Sequence, residues 1–433
     1  MVLTAHFVDS SWRLQKRVIS FVHILPPRHG VEIVDCIFKC LKEWGIENKV
    51  FTLSVDNASN NDVAIRILKD TFSRNRMLLC GGKLFHVRCC AHILNLMVQD
   101  GFSEIRNVIG DVHESVNFIN QNKRLNSFFD IVQQLQLPDR KLILDCKTRW
   151  NSTFEMLSIA IKFKEVFSRL KERESHYECC PSHEDWENVK KVCEILEVFN
   201  SATKIISGSD YPTSNLFLNE VYRVKVLLDK RMNDENEFVQ AMVRKMKSKF
   251  DKYWGECNLL MSIAAILDPR CKMRVIEFFF PRMYPDREAK ENIAKVRDAL
   301  YEIYDEYARE YQFGNEHSAE TQVHDNGISG MNIEASSSYS TKFHALEWWK
   351  ASTLKYRILS KMARDILAIP ITTVASEATF SAGDRVIDTY RAFLSPDTVQ
   401  ALLCGGDWCR NLHGVKKKNK KEKKSIEIAL KIP

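Results

Sequence analysis

Two acidic residues sit where a metal ion could be held. Residues 51–55 form an apolar, strand-like run (Phe51, Leu53, Val55) that ends at Asp56. The Asn57-Ala58-Ser59-Asn60-Asn61 segment then turns the chain, and Asp62 opens a helical pattern. Far downstream, Pro370 closes an apolar run, and Glu377 is the only acid among the small residues around Phe380. A carboxylate at a strand end and another on a distant helix can converge on Mg²⁺ or Mn²⁺. These hard cations take oxygen ligands and drive phosphoryl transfer. Each acid also has a plainer use. Asp56 can cap its own turn or the next helix, and Glu377 can be a surface acid favoured by a helix dipole.

Other constellations divide in the same way. Cys89 and His92 form a C-x-x-H pair, with His86 and Cys90 beside them. Zinc would need a four-ligand module, and packing at a helix start is the plainer reading. Cys179, Cys180 and His183 are sparser still. In Thr148-Arg149-Trp150-Asn151-Ser152, the guanidinium suits a phosphate and the indole an unpaired base. The same pair suits a domain junction, with Trp150 in the core and Arg149 in an ion pair. Trp348 and Trp349 cannot share one helix face. Together with Phe380, Leu394, Leu402, Leu403 and Trp408 they make more apolar surface than a lone terminal helix buries. A dimer interface accounts for it, as does packing on the chain's own helices.

The elements that must position these residues are legible in outline. Residues 2–9 and 12–24 alternate apolar and polar around Asp9-Ser10-Ser11, which predicts a hairpin. The hairpin starts with almost no lead-in, so an upstream segment is expected. Val31, Ile33, Val34, Ile37, Phe38, Leu41 and Trp44 predict a helix stopped by Gly45. A strand at 49–55, a helix at 62–72, a short strand at 84–87 and a helix from 89 to 98 follow. A hairpin followed by crossover units predicts a mixed sheet with helices on its faces. From Trp150 to about 313 helical periodicity dominates, as in Trp186, Val189, Val192, Ile195, Leu196 and Phe199 after the capping-box-like Ser182–Asp185. Residues 314–342 are polar and aperiodic, which predicts a disordered linker. Helices return at 345–367 and 395–409.

A chain of 433 residues has room for two or three domains. No apolar run reaches 18 residues and Met1–Phe7 has no leader pattern, so neither a membrane span nor a secretory leader is expected. Thirteen cysteines without framework spacing suit a reduced, intracellular setting. Seven lysines and one glutamate in residues 416–424 hold +6 of the net +7, leaving +1 for the rest of the chain. Such a run is a solvated tail or a nuclear-localisation or nucleic-acid patch.

In order along the chain, several segments resemble the hAT superfamily of transposases, especially its RICESLEEPER-type, BED-finger-associated branch. They are Thr4–Asp9 with Trp12, Lys16 and Arg17; Val55–Asp62; Arg88–Leu96; Thr148–Ser152; Leu267-Asp268-Pro269-Arg270; Trp348-Trp349; and Val374–Ser381. The resemblance implies an α/β fold: an RNase H-like mixed-sheet core lacking its first strand, interrupted by an all-helical insertion and closed by a helical C-terminal dimerisation segment. The expected divisions are core 1–149, insertion 150–313, linker 314–342, dimerisation segment completing the core 343–410, and basic tail 411–433. The family cuts DNA with a D-D-E triad, in which Asp56 matches the second acid and Glu377 the third. Cys89 and His92 match its C-x-x-H motif. Arg149 and Trp150 match the basic–aromatic pair implicated in handling DNA. Trp348, Trp349, Phe380, Leu394, Leu402, Leu403 and Trp408 fall in the dimerisation segment.

No residue matches the triad's first acid, since Asp9 ends a different strand, and no BED finger is present in the sequence. The expectation is a nuclear, DNA-associated homodimer derived from a transposase and without strand cleavage. Only weak Mg²⁺ or Mn²⁺ binding at Asp56 and Glu377 is expected, and no other cofactor. The alternatives are a fragment of an active DDE transposase and a protein-interaction module that does not act on DNA.

Overall fold

The computed structural model describes residues 1–27, 29–75, 78–146, 149–255, 257–315, 343–386 and 394–413. The expected linker from residue 316, most of the basic tail, and Lys147 and Thr148 lie outside them.

Alternating β-branched and aromatic side chains make β1 (Val2–Val8) and β2 (Leu14–Phe21), an antiparallel hairpin that pairs Val8 with Leu14. Asp9 shapes its turn: Oδ1 accepts the Ser11 and Arg13 amides, each at 2.9 Å, and Oδ2 accepts Gln15 Nε2 at 2.6 Å. Helix α1 (Gly30–Glu43) and α2 (Ser59–Asn75) flank β3 (Leu53–Val55). Gly30 permits the approach of α2, because a Cβ there would lie 2.7 Å from Val63 Cγ1. β3 pairs in parallel with β4 (His86–Arg88), Val55 opposite Arg88. Val34, Ile37 and Leu41 of α1 meet Ala64, Ile65, Leu68 and Phe72 of α2 in one core under both strand pairs.

The expected mixed sheet is therefore realised as two separate two-stranded sheets, β1–β2 and β3–β4, among the described residues. No described strand joins β1 to β3.

Thirteen helices follow β4 among the described residues. They are α3 (Cys90–Phe102), α4 (Arg106–Ile119), α5 (Asn122–Gln134), α6 (Trp150–Ala160), α7 (Lys164–Arg173), α8 (His183–Ile206), α9 (Phe217–Arg231), α10 (Glu237–Trp254), α11 (Leu259–Ile266), α12 (Arg274–Met283), α13 (Asp286–Asn315), α14 (Ala345–Ala351) and α15 (Arg357–Ile366). Two more, α16 (Val374–Val386) and α17 (Pro396–Leu412), complete the described chain.

The helices fall into two compact units. One holds residues 1–92, 205–220 and the chain from 257 onward; the other holds residues 93–204 and 221–256. The all-helical unit thus begins at Ile93 rather than at residue 150 and gives residues 257–313 to the unit that contains the strands. The cause is α4 and α5, whose apolar residues Val112, Val116, Phe128 and Ile131 are buried in the helical unit. The predicted stripe on α8 is buried throughout. Its start is a reciprocal cap: Ser182 Oγ accepts the Asp185 amide at 3.1 Å and Asp185 Oδ2 accepts the Ser182 amide at 2.8 Å.

Candidate functional site

β3 and β4 deliver Asp56 and Cys89 side by side. The Cys89 amide donates to the Val55 carbonyl at 2.8 Å, continuing the ladder to the residue before Asp56. Segment 370–373 closes on the same strand ends. Ser54 Oγ donates to the Pro370 carbonyl at 2.7 Å, and the Cys90 amide donates to the Ile371 carbonyl at 2.9 Å. Thr373 then joins three segments. Its amide lies 3.3 Å and its hydroxyl 3.1 Å from Cys89 Sγ, and the hydroxyl lies 2.7 Å from Glu377 Oε1. One hydroxyl hydrogen cannot serve both acceptors, and the carboxylate is the stronger. Glu377 lies in the first turn of α16 and is exposed. Residues more than 300 positions apart in sequence thus reach one end of the β3–β4 pair.

Both plain uses are also realised. Asp56 Oδ1 accepts the Ala58 amide at 2.9 Å and Asn61 Nδ2 at 2.7 Å, so the carboxylate holds its own turn. Arg88 follows from β4, 3.0 Å from Asp62 and 3.3 Å from Asn57 Oδ1. Burial pushes the Cys89 thiol pKa up, against the hydrogen bonds from Thr373 and the His92 amide. Cys89 is a neutral pin at this junction, and the His92 amide donates to it at 3.4 Å. The bland reading of the C-x-x-H pair, packing at a helix start, matches this geometry.

A hard cation held by Asp56 and Glu377 would take most of its oxygen ligands from water or substrate. A two-metal pair also needs a shared carboxylate. Among the described residues neither Asp56 nor Glu377 belongs to a group of three or more His, Cys, Asp or Glu ligand atoms within 4.8 Å of one another. Among the described residues the one trio that does meet this spacing is Cys80, Glu302 and Glu306. Its groups are already engaged: Lys83 Nζ lies 3.1 Å from Glu302, and Glu306 accepts the Cys80 amide at 3.1 Å. Burial, followed by Glu302, pushes the Cys80 thiol up to about 12.

In the helical unit, Arg149 is the exposed N-cap of α6, whereas Trp150 is 3% exposed. The core option for Trp150 is the one realised, and stacking on a base would require it to leave its packing. Asp145 fixes the loop ahead of it, 2.5 Å from His113 Nδ1 and 2.7 Å from Thr153 Oγ1. The Leu267–Arg270 motif is a knot tied around a buried carboxylate. Asp268, 0% exposed, accepts Arg270 Nη2 at 2.7 Å and Asn215 Nδ2 at 2.8 Å.

The candidate dimerisation residues divide. Trp349 is fully buried and donates to the Leu267 carbonyl at 2.8 Å, and Trp348 stacks on Tyr356. Leu403 is buried, Leu394 is half-buried, and Trp408 stacks on Trp44 with centroids 5.3 Å apart. Phe380 and Leu402 stay exposed, at 52% and 50%. Single-chain packing therefore uses Trp349, Leu403 and Trp408. The bridging role of Thr373 had only a faint signal in sequence, a threonine four residues before the acid.

A parallel strand pair ending in a carboxylate, a helical insertion and a helical C-terminal closure define a helix-interrupted RNase H-like core. Comparison with known families agrees along the chain. Residues 1–84 match the ZBED1 RNase-like domain and residues 87–195 the ZBED1 RNase-like helical domain. Residues 215–307 match the hAT-like transposase RNase-H fold, and residues 327–409 the hAT family C-terminal dimerisation region. The rice (Oryza sativa subsp. japonica) zinc finger BED domain-containing protein RICESLEEPER 1 is 35% identical over 95% of this chain and 63% of its own length. RICESLEEPER 4 of rice is 30% identical over 94% of this chain and 67% of its own length. A putative AC transposase of Zea mays is 33% identical over 94% of this chain and 54% of its own length. The chain belongs to the hAT transposase family, and it spans less than two thirds of the length of RICESLEEPER 1 and the maize protein.

Proposed function

We propose that this chain is a transposase-derived protein that associates with DNA in the nucleus, pairs with a second copy, and does not itself cut strands. The carrying observation is the acidic site. The segments bearing Asp56 and Glu377 reach the same end of β3–β4, yet neither acid belongs to a group of three or more metal-ligating atoms among the described residues. Single-cation binding is the most such a pair supports, with Mg²⁺ or Mn²⁺ held weakly through Asp56 and Glu377. Arg149, exposed at the start of α6, and the lysines of 416–424 supply phosphate-binding charge. The match to a dimerisation region supports self-association.

A second reading is favoured by the convergence itself: the chain is the larger part of a DDE-type transposase whose remaining length supplies the missing acid. One assay separates the two. The purified chain is incubated with supercoiled plasmid and Mn²⁺, beside Asp56→Asn and Glu377→Gln. The first reading expects a mobility shift with duplex DNA and no nicking above either variant. Nicking that both substitutions abolish establishes the second, and absence of any DNA shift leaves only a protein-interaction module.

A further inference from the structure

Between α5 and α6 the chain presents two adjacent aliphatic side chains to solvent. Leu142 is buried, but Ile143 and Leu144 are 40% and 41% exposed. An extended segment that buries Leu142 would bury Leu144 next, two positions on. Asp145 takes the inward place instead. Its side chain is 2% exposed, with Oδ1 2.5 Å from His113 Nδ1 of α4 and Oδ2 accepting Thr153 Oγ1 of α6 at 2.7 Å. The following backbone is tied as well. The Cys146 amide donates to Ser152 Oγ at 2.8 Å, and the Arg149 amide donates to the Cys146 carbonyl at 2.8 Å. Leu142 and Asp145 thus pin the segment on either side, and Ile143 and Leu144 stand out from a fixed base.

The charge around the pair is mostly positive. Arg140, Lys141 and Arg149 are exposed, and no side-chain partner of theirs is found among the described residues. The acids of the same stretch are the exposed Asp139 and the engaged Asp145. Two aliphatic side chains are far too small for a protein interface of roughly 800 Å² per partner. A wedge between stacked bases needs no more than one or two of them, with cations on the flanking phosphates.

We infer that Ile143 and Leu144 form a wedge that enters a base step of duplex DNA, while Arg140, Lys141 and Arg149 hold phosphates beside it. The inference rests on the DNA-associated reading above and gives that contact a position in the helical unit. His113, Asp145 and Thr153 are positioning residues that hold the wedge without touching DNA. A base held in advance leaves little freedom to lose on binding. The wedge meets bases through apolar atoms only, so its preference follows ease of unstacking and favours TA steps over A-tracts.

Duplexes carrying 2-aminopurine beside a central TA step report the unstacking. The full chain should raise their fluorescence about twofold at saturation, and an A-tract duplex should respond less. Ile143→Ser and Leu144→Ser in one chain should abolish the rise and weaken binding to the TA duplex about tenfold. The slope of log K against log salt should stay unchanged in that variant, because no cation is lost. Arg140→Ala with Lys141→Ala should instead lower the slope by about 2 and keep the rise at saturation. Both variants change exposed side chains, so their melting temperatures should match the wild type. A lower melting temperature for the Ile143→Ser, Leu144→Ser chain would mean that the pair packs against protein, and overturns the wedge. DNA binding without a rise, or a rise that survives the loss of both aliphatic side chains, overturns the wedge and leaves the DNA-associated reading standing. No binding to any duplex overturns both.

Discussion

Asp56 and Glu377 are each held locally, so the proposed cation site would be built from carboxylates that already have partners. Asp56 spends Oδ1 on its own turn, and Glu377 is steadied by the Thr373 hydroxyl, which also touches Cys89. Fixing both acids at one strand end leaves little freedom to lose when a cation arrives. A different residue reports the hairpin beside them. Burial, and then the Lys16 ammonium, lower the His6 imidazole from 6.5 to about 4. The unfolded chain takes up this proton near pH 6.5 and the folded chain only near pH 4, so the unfolded state binds more protons in between. Stability from this group is present above pH 6.5 and is lost as the pH falls toward 4. Between pH 7 and 5 the loss amounts to about 2 kcal/mol. Urea unfolding at both pH values should show His6→Gln losing less stability on acidification than the wild type, by about that amount. Equal losses in the two proteins would mean that His6 is protonated alike in both states.

At the scale of elements, α17 acts as a cover for a strand edge. β2 pairs only with β1 among the described residues, and side chains meet several of its other backbone groups. Asp407 and Trp408 hold Val18, and Trp44 Nε1 donates to the Ile19 carbonyl at 2.9 Å. An uncovered edge would invite pairing with other chains. Asp407→Ala leaves the Val18 amide without its acceptor and should cost about 1–2 kcal/mol. Hydrogen exchange should show the Val18 amide losing protection while that of Ile195, in the core of α8, is unchanged. The same helix shows what a sequence does and does not carry. The hairpin, α1, α2 and the reciprocal cap of α8 depend on neighbours a few positions apart, and those were legible. That Trp408 seals β2 and Trp349 seals Leu267 depends on partners 390 and 82 positions away. Apolar excess marked both residues as needing cover without saying whose. The boundary at Ile93 escaped for a related reason, because periodicity reports a helix and not the unit that buries it. Asp56 and Glu377 could be named from motif resemblance, but Thr373, which ties Cys89 to Glu377, could not.

For the whole molecule, the proposed DNA association would divide between charge and shape. The chain is +7, and +6 of that lies within residues 416–424, so the body is close to neutral. A neutral body bearing Arg149 can recognise a backbone geometry but attracts it weakly, whereas a lysine run attracts any phosphate. Affinity and its salt dependence should therefore separate from whatever preference the body has. Truncation after Val415 removes seven lysines from this run. If they all neutralise phosphates, the slope of log K against log salt should fall by about 6, at roughly 0.9 per phosphate on duplex DNA. Arg149→Ala in the full-length chain should instead lower that slope by about 1. Fluorescence anisotropy across a salt series on random and hairpin-ended duplexes measures both. A truncated chain that keeps its slope would place the contacts on the body. A truncated chain that loses all binding, with Arg149→Ala unchanged, would reduce the DNA association to the tail alone.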